Sequence, residues 1–385
     1  MSYAGRTQHL KAEGAYQVLA KAQALEKEGR KIIHLEIGQP DFPTFENISQ
    51  AGIRAIEEGR TRYTPPAGMP SLRKAVAAAA GKQRGMRFDA SQVVVSPGAK
   101  PNLFFPTLAL VEDGDEVIYP NPGFPTYEAM IGVAGGLSVP VPLLEENQFS
   151  FDLDAFDRLI NDRTRLIIIN SPGNPTGGIM PLSDLEHIAS KAIEYDCWVL
   201  SDEIYTRMVY DRGTADSIAR IPGMAERTII MDGFSKTYAM TGWRLGYGIM
   251  PAELAEKVEL LITHSVGSTA EFTQYAGIEA LTGPQEEAEH VVAVYQKRRN
   301  LIAEGLNGLP GVSCQMPQGA FYVFPNIKEL GMSSNDAADY FLEKAGVALL
   351  PGSAFGEYGE GYLRLSYANS LENIQLALEK MEGVL

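Results

Sequence analysis

RLIIINSPGNPTGG, residues 165–178, is an apolar, largely β-branched run that stops at a turn built from Pro, Asn and Gly. A run of this kind without polar alternation is what a strand needs when helices cover both of its faces. The same pattern recurs outward from it. QVVVS (92–96), DEVIYP (115–120) and LSVPV (137–141) lie upstream, and CWVLSDE (197–203), RTIIMDGF (227–234) and RLGYGIM (244–250) lie downstream. Helical patterns over 99–111, 124–134, 181–195 and 251–265 fill the intervals, each close to a Gly, Pro, Asp or Asn boundary signal. Strands alternating with helices predict βαβ units, and so an α/β fold around a mostly parallel central sheet.

Further out the pattern changes. After about residue 284, a long charged helical stretch, PQEEAEHVVAVYQKRRNLIAEGLNGL, precedes the strand candidates AFYVF (320–324) and YLRLSY (362–367) and a final amphipathic helix. At the other end, a helix at about 15–29 precedes the strand candidate IIHLEIG (32–38), which has no partner strand nearby in sequence. The division expected is a large domain over 46–284 and a smaller, discontinuous α+β domain made of 1–45 and 285–385. A chain of 385 residues with 45% hydrophobic content is long enough to bury two such cores.

Charge and composition exclude several classes of partner. With 33 Lys and Arg against 48 Asp and Glu the net charge is -15, and no basic stretch reverses it locally, so nucleic acid is not an expected ligand. No apolar h-region opens the chain, and no 18-residue apolar run follows, so a cytoplasmic protein without a membrane span is expected. The two cysteines, Cys197 and Cys314, form no ligand pattern, and the five histidines form no HExxH pair, so no metal site is expected.

Ligands of open α/β sheets bind beyond the carboxyl ends of the strands. The residues that follow the apolar runs are Pro97-Gly98-Ala99-Lys100, then SPGNPTGG at 171–178, then Ser201-Asp202-Glu203-Ile204-Tyr205, then Ser235-Lys236-Thr237. Each alone has an ordinary reading. Asn174-Pro175-Thr176-Gly177 is a turn sequence, a strand-end Asp is often a helix cap, and the Ser-Lys-Thr tail lacks the second glycine of a phosphate-binding P-loop. Together they supply an amine for an aldehyde, a carboxylate for a pyridine nitrogen, amide and phenol donors for a phenolate, and a cup for a phosphate. Pyridoxal phosphate needs all of these.

On seven motifs in order the chain resembles the class I and II aminotransferases, of the aspartate aminotransferase fold. They are GQPDF (38–42), YTPPAG (63–68), GAKPNLFF (98–105), SPGNPTGG (171–178), SDEIY (201–205), SKTYAMTGWRLGY (235–247) and LRLSYA (363–368). The resemblance implies pyridoxal 5'-phosphate as cofactor, held by the large domain as a Schiff base on Lys236, which also moves the substrate proton. It implies that Asp202 pairs with the pyridinium nitrogen and that Asn174 and Tyr205 hydrogen-bond the ring oxygen. Ser235, Arg244, Gly98 and Ala99 would bind the phosphate, as helix N-termini do. Phe124 matches an aromatic that stacks on the ring, though a core role is nearly as well supported. Tyr63 matches a tyrosine that reaches the neighbouring subunit's cofactor, which implies a homodimer with shared sites. Arg364 matches the bidentate clamp on the substrate α-carboxylate, and Gly38 a backbone contact to the same group.

The activity this implies is amino transfer between an L-amino acid and a 2-oxo acid by a ping-pong mechanism. The same motifs also occur with elimination chemistry, as in a C–S β-lyase, and the half-reaction separates the two. A non-catalytic regulator on this scaffold would need a DNA-binding module ahead of the first helix, near residue 15. Lys100 matches a position that meets the distal carboxylate of acidic substrates in one bacterial branch of the family. That branch also brings small hydroxyl residues to this carboxylate, where a gapless alignment through AKA (20–22) places Glu13 and Ala15. Glu13 either pairs with Lys100 or points to solvent. The expectation is that glutamate with 2-oxoglutarate is one substrate pair, that the second amino acid is neutral, and that strict aspartate preference is absent.

Overall fold

The computed structural model describes residues 3–7, 10, 14–211 and 214–385. Its strands are β1 (Ile33–His34), β2 (Val93–Ser96), β3 (Glu116–Asn121), β4 (Leu137–Leu144), β5 (Ser150–Phe151), β6 (Thr164–Asn170), β7 (Trp198–Asp202), β8 (Thr228–Gly233), β9 (Gly246–Ile249), β10 (Tyr322–Val323), β11 (Val347–Ala348), β12 (Leu350–Pro351) and β13 (Leu363–Ser366). Eight of them form one sheet in the order β2-β9-β8-β7-β6-β3-β4-β5. The pairs β8–β7, β7–β6, β6–β3 and β3–β4 are parallel, while β9 and β5 run against their neighbours. The α/β class with a mostly parallel central sheet is therefore what the chain adopts.

The continuous apolar runs have the cause anticipated. Along β6, Leu166 and Ile168 enter one hydrophobic core while Ile167 and Ile169 enter a second, as alternate residues of a strand covered on both faces must. The helix Pro101–Leu110 lies across β2, β6, β8 and β9. β9 departs from parallel order because the 234–245 connection from β8 contains no crossover helix. Its glycines are packing requirements as well: a Cβ on Gly246 would strike Ala99, and one on Gly248 would meet Asn102 Oδ1 at 2.7 Å.

The remaining strands draw on both ends of the chain. β1 pairs in parallel with β11, Ile33 opposite Val347, while β13 lies between β10 and β12 in antiparallel register. The helix Glu286–Asn307 packs against Leu371–Glu382, and Gly14–Lys27 packs on β11 and β12. IIHLEIG thus finds its partner more than 300 residues away. Among the described residues no helix is long and apolar enough to cross a membrane, and no cluster of His, Cys, Asp and Glu is arranged to hold a metal ion.

Candidate active site

Lys236 follows β8 in the connection to β9, and its Nζ donates to the Gly38 carbonyl at 2.6 Å. That bond joins SKTYAMTGWRLGY to GQPDF across 198 residues. Burial pulls the Lys236 pKa down to about 8, and the nearby Arg364, Arg244 and Lys100 add to this, while Asp202 opposes it. The amine also lies over the rings of Phe321 (5.5 Å) and Tyr205 (5.9 Å). A lysine held this way gives up its proton far more readily than an exposed one, so a larger fraction of it is available as a nucleophile and base just above neutral pH.

Asp202 closes β7 and is buried. Tyr127 Oη donates to its Oδ2 at 2.6 Å, and the backbone N–H of Ile204 donates to its Oδ1 at 3.2 Å. Burial raises its pKa to about 7 against both hydrogen bonds, with Asp232 and Glu203 adding repulsion. Tyr205 reaches Tyr322, hydroxyl to hydroxyl, at 2.8 Å. Asn174 is fixed by its own N–H on Asn170 Oδ1 (2.8 Å), and its Oδ1 lies 3.4 Å from Arg364 Nη1. Arg364, on β13, is buried, donates to the Glu36 carbonyl, and spreads over the rings of Tyr322 (4.6 Å) and Phe355 (5.1 Å).

A third group gathers where β2 turns into the helix Pro101–Leu110. Gly98 has φ +87°, a backbone conformation that favours glycine, and its lack of a Cβ leaves room for the Arg244 guanidinium to close over it. Arg244 itself adopts φ +53° and anchors through Thr241 O at 2.7 Å. Gly98 and Ala99 lead into a helix start beside this cation, the kind of cradle that receives phosphate. Ser235 is buried two residues past the end of β8, which is separated from β2 by β9. Lys100 immediately precedes the same helix, with Nζ 5.0 Å over the Phe124 ring, and Phe124 packs edge-on against Tyr127 at 5.8 Å. Phe124 is half-buried and joins the main core, so contact with the site and packing are not exclusive.

Lys236, Gly38, Asp202, Tyr205, Asn174 and Arg364 thus join a single network together with Tyr127 and Tyr322, the two members that sequence reasoning missed. Tyr127 sits three residues after Phe124 in NPGFPTY and Tyr322 inside AFYVF, where the local sequence does not distinguish a site hydroxyl from a core aromatic. Tyr63 is not drawn into this network and is 99% exposed. Glu13 lies outside the described residues. Ala15 is the second residue of the helix Gly14–Lys27 and packs against the cluster that contains Leu350 and Phe355.

The arrangement fits pyridoxal phosphate on its own features. A depressed amine, a buried carboxylate with no cation among its two hydrogen-bond donors, and a glycine cradle closed by arginine are what its aldehyde, ring nitrogen and phosphate require.

The profile of the family described as Aminotransferase class I and II matches residues 30–381. An aromatic-amino-acid aminotransferase 2 from Thermococcus litoralis is 42% identical over 359 residues, covering 92% of each chain. An aspartate aminotransferase from Pyrococcus abyssi is 41% identical, again with 92% of each chain covered. Among solved structures, Thermus thermophilus aspartate aminotransferase with maleate superposes with a TM-score of 0.94 at 38% identity over the full length of both chains.

Proposed function

The chain belongs to the class I and II aminotransferases and is a pyridoxal-phosphate-dependent enzyme acting on amino acids and 2-oxo acids, and from this premise we propose how its residues divide the work. When bound, the cofactor supplies an aldehyde for an amine and a ring that withdraws negative charge from the substrate Cα. Lys236 would hold the cofactor through its amine and, once freed by substrate, would move the proton at Cα, a role suited to an amine with pKa about 8. Asp202 would pair with the ring nitrogen and keep it protonated. Tyr205 and Asn174 would donate to the ring oxygen. Gly98, Ala99, Ser235 and Arg244 would hold the phosphate, with Lys100 and Phe124 beside them, and the Phe124 side chain would lie against the ring. Arg364 and the Gly38 backbone receive the α-carboxylate. The convergence of Lys236, Gly38 and Arg364 carries this reading, because it places the reactive amine beside the carboxylate clamp.

The large unit 46–284 would then bind the cofactor, and 1–45 with 285–385 would form the smaller one, as the pairing of β1 with β11 supports. A homodimer follows from Tyr63, whose 99% exposure suits a side chain that reaches a second copy.

For substrates, glutamate with 2-oxoglutarate is one pair and a neutral aliphatic or aromatic amino acid the other. Relatives named for aromatic amino acids and for aspartate lie at similar identity, which supports a pocket that accepts both kinds. The test is cofactor absorbance in the half-reaction with aspartate, glutamate, alanine, leucine and phenylalanine. Glutamate and at least one neutral amino acid should convert the enzyme to its amino form. Aspartate exceeding every neutral amino acid by about a hundredfold in kcat/KM would refute the substrate reading, and regeneration of the starting spectrum with release of ammonia would refute transamination.

A further inference from the structure

We propose that Tyr322 is a positioning residue that ties the cofactor-oxygen donor to the carboxylate clamp, its hydroxyl ordering Tyr205 and its ring carrying Arg364. The proposal rests on the roles given above to Tyr205 and Arg364.

Strand geometry brings the three together. Tyr322 on β10 stands opposite Ser366 on β13, and Arg364, two residues before Ser366, projects from the same face of that strand. The guanidinium therefore lies over the Tyr322 ring, 4.6 Å from its centroid. The other end of the ring crosses to the large sheet, where the hydroxyl meets Tyr205 Oη at 2.8 Å with the ring planes 85° apart. Tyr322 is 1% exposed, so both contacts are made away from water. It also closes against the GQPDF segment, where a Cβ on Gly38 would collide with the Tyr322 hydroxyl and lie 3.1 Å from Cζ. The backbone carbonyl of Tyr322 lies 2.9 Å from where a Cβ on Gly177 would be, in the loop that carries Asn174. One aromatic side chain thus touches the donor, the clamp and the glycine.

The polarity of the phenol pair follows from counting hydrogens. Each hydroxyl has one, and burial pushes both phenols above their ordinary pKa, so both stay protonated through the working range. If Tyr205 gives its hydrogen to the ring oxygen, Tyr322 must give its own to Tyr205. Donation in series makes each hydroxyl a better donor to the next. Removing the first donor weakens the second without touching the cofactor. The ring of Tyr322 acts separately, because its contact with Arg364 needs no hydroxyl.

Two substitutions separate the functions, with the cofactor-loaded protein titrated by visible absorbance. Tyr322→Phe keeps the ring and should raise the pH midpoint of the absorbance change by about half a unit. Its half-saturating concentration for glutamate should change by less than about twofold, since the guanidinium keeps its platform. Tyr322→Leu should show the same upward shift and also weaken glutamate and phenylalanine alike by about five- to thirtyfold, the span of a desolvated cation–π contact. Tyr205→Phe is the reference. An unshifted midpoint in Tyr322→Phe beside a shifted one in Tyr205→Phe would overturn the proposal and leave the role of Tyr205 standing. No shift in either would overturn that role and the proposal with it. Should the leucine variant not fold, the phenylalanine titration decides.

Discussion

Asp202 and Asp232 lie on neighbouring strands, β7 and β8, both are buried and burial pushes both carboxyls up, yet only Asp232 is given a cation. Asp232 accepts from Arg84 Nη2 at 2.9 Å, from Tyr247 Oη at 3.0 Å and from the Gly233 N–H at 2.7 Å. Arg84 also donates through Nε to Glu203 at 2.7 Å, and Ser201 and Ser217 donate to the other oxygen of Glu203. One buried cation is thus shared by two carboxylates, and neutral donors satisfy their remaining oxygens. Burial lowers the affinity of Arg84 for its proton, but Glu203 and Asp232 more than restore it. Asp202 has a phenol and a backbone amide instead of a cation, and burial drives it to about 7. Buried charge serves structure where the chain completes the pair, and chemistry where a cationic ring is to complete it.

The sharpest way to break this contrast is on the Lys236 side. Lys236→Ala should abolish transamination while the cofactor-free protein melts no lower than the wild type, because a desolvated amine with a depressed pKa opposes folding. Activity assays with thermal melting check it, and borohydride reduction of the loaded wild type should label Lys236 alone. A large loss of stability would mean that the amine belongs to the structural class.

Arg84→Met should behave conversely. Removing the cation leaves Glu203 and Asp232 buried without it, and a loss of about 3–5 kcal/mol is expected in urea unfolding. A variant as stable as the wild type would show that the cluster is no structural unit.

The smallest effect sharpens the Asp202 side. Its folded pKa, about 7, exceeds the ordinary carboxylate value of 3.8, so the carboxylate opposes folding increasingly as pH rises from about 4 and fully above 7. Asp202→Asn should therefore stabilise the cofactor-free protein relative to wild type, and its advantage should grow by about 2–3 kcal/mol between pH 5 and pH 8. Unfolding at the two pH values measures it. A constant or shrinking advantage would show that Asp202 is held ionised by the fold.

Much of this was legible in the chain before any contact was known. The runs QVVVS, RLIIIN, CWVLSDE and RTIIMDGF became β2, β6, β7 and β8, because a strand buried on both faces must be apolar along its whole length and must stop at a turn. The residues just past those runs could be read for chemistry, since the carboxyl ends of such strands are where a sheet of this kind exposes its ligand surface. What decided the rest was distance along the chain. Tyr127 meets Asp202 across 75 residues, Tyr205 meets Tyr322 across 117, and Lys236 meets Gly38 across 198. A buried tyrosine in an apolar segment has the same local sequence whether its hydroxyl faces a catalytic carboxylate or a backbone carbonyl. The antiparallel run of β9 was likewise set by the 234–245 connection and by the close approach of Gly246 to Ala99. Composition and spacing determine which elements form and which groups stand at their ends. Which of those groups touch, and so which charges are paired and which are left reactive, is decided by packing, because only packing removes the water that would otherwise make them alike.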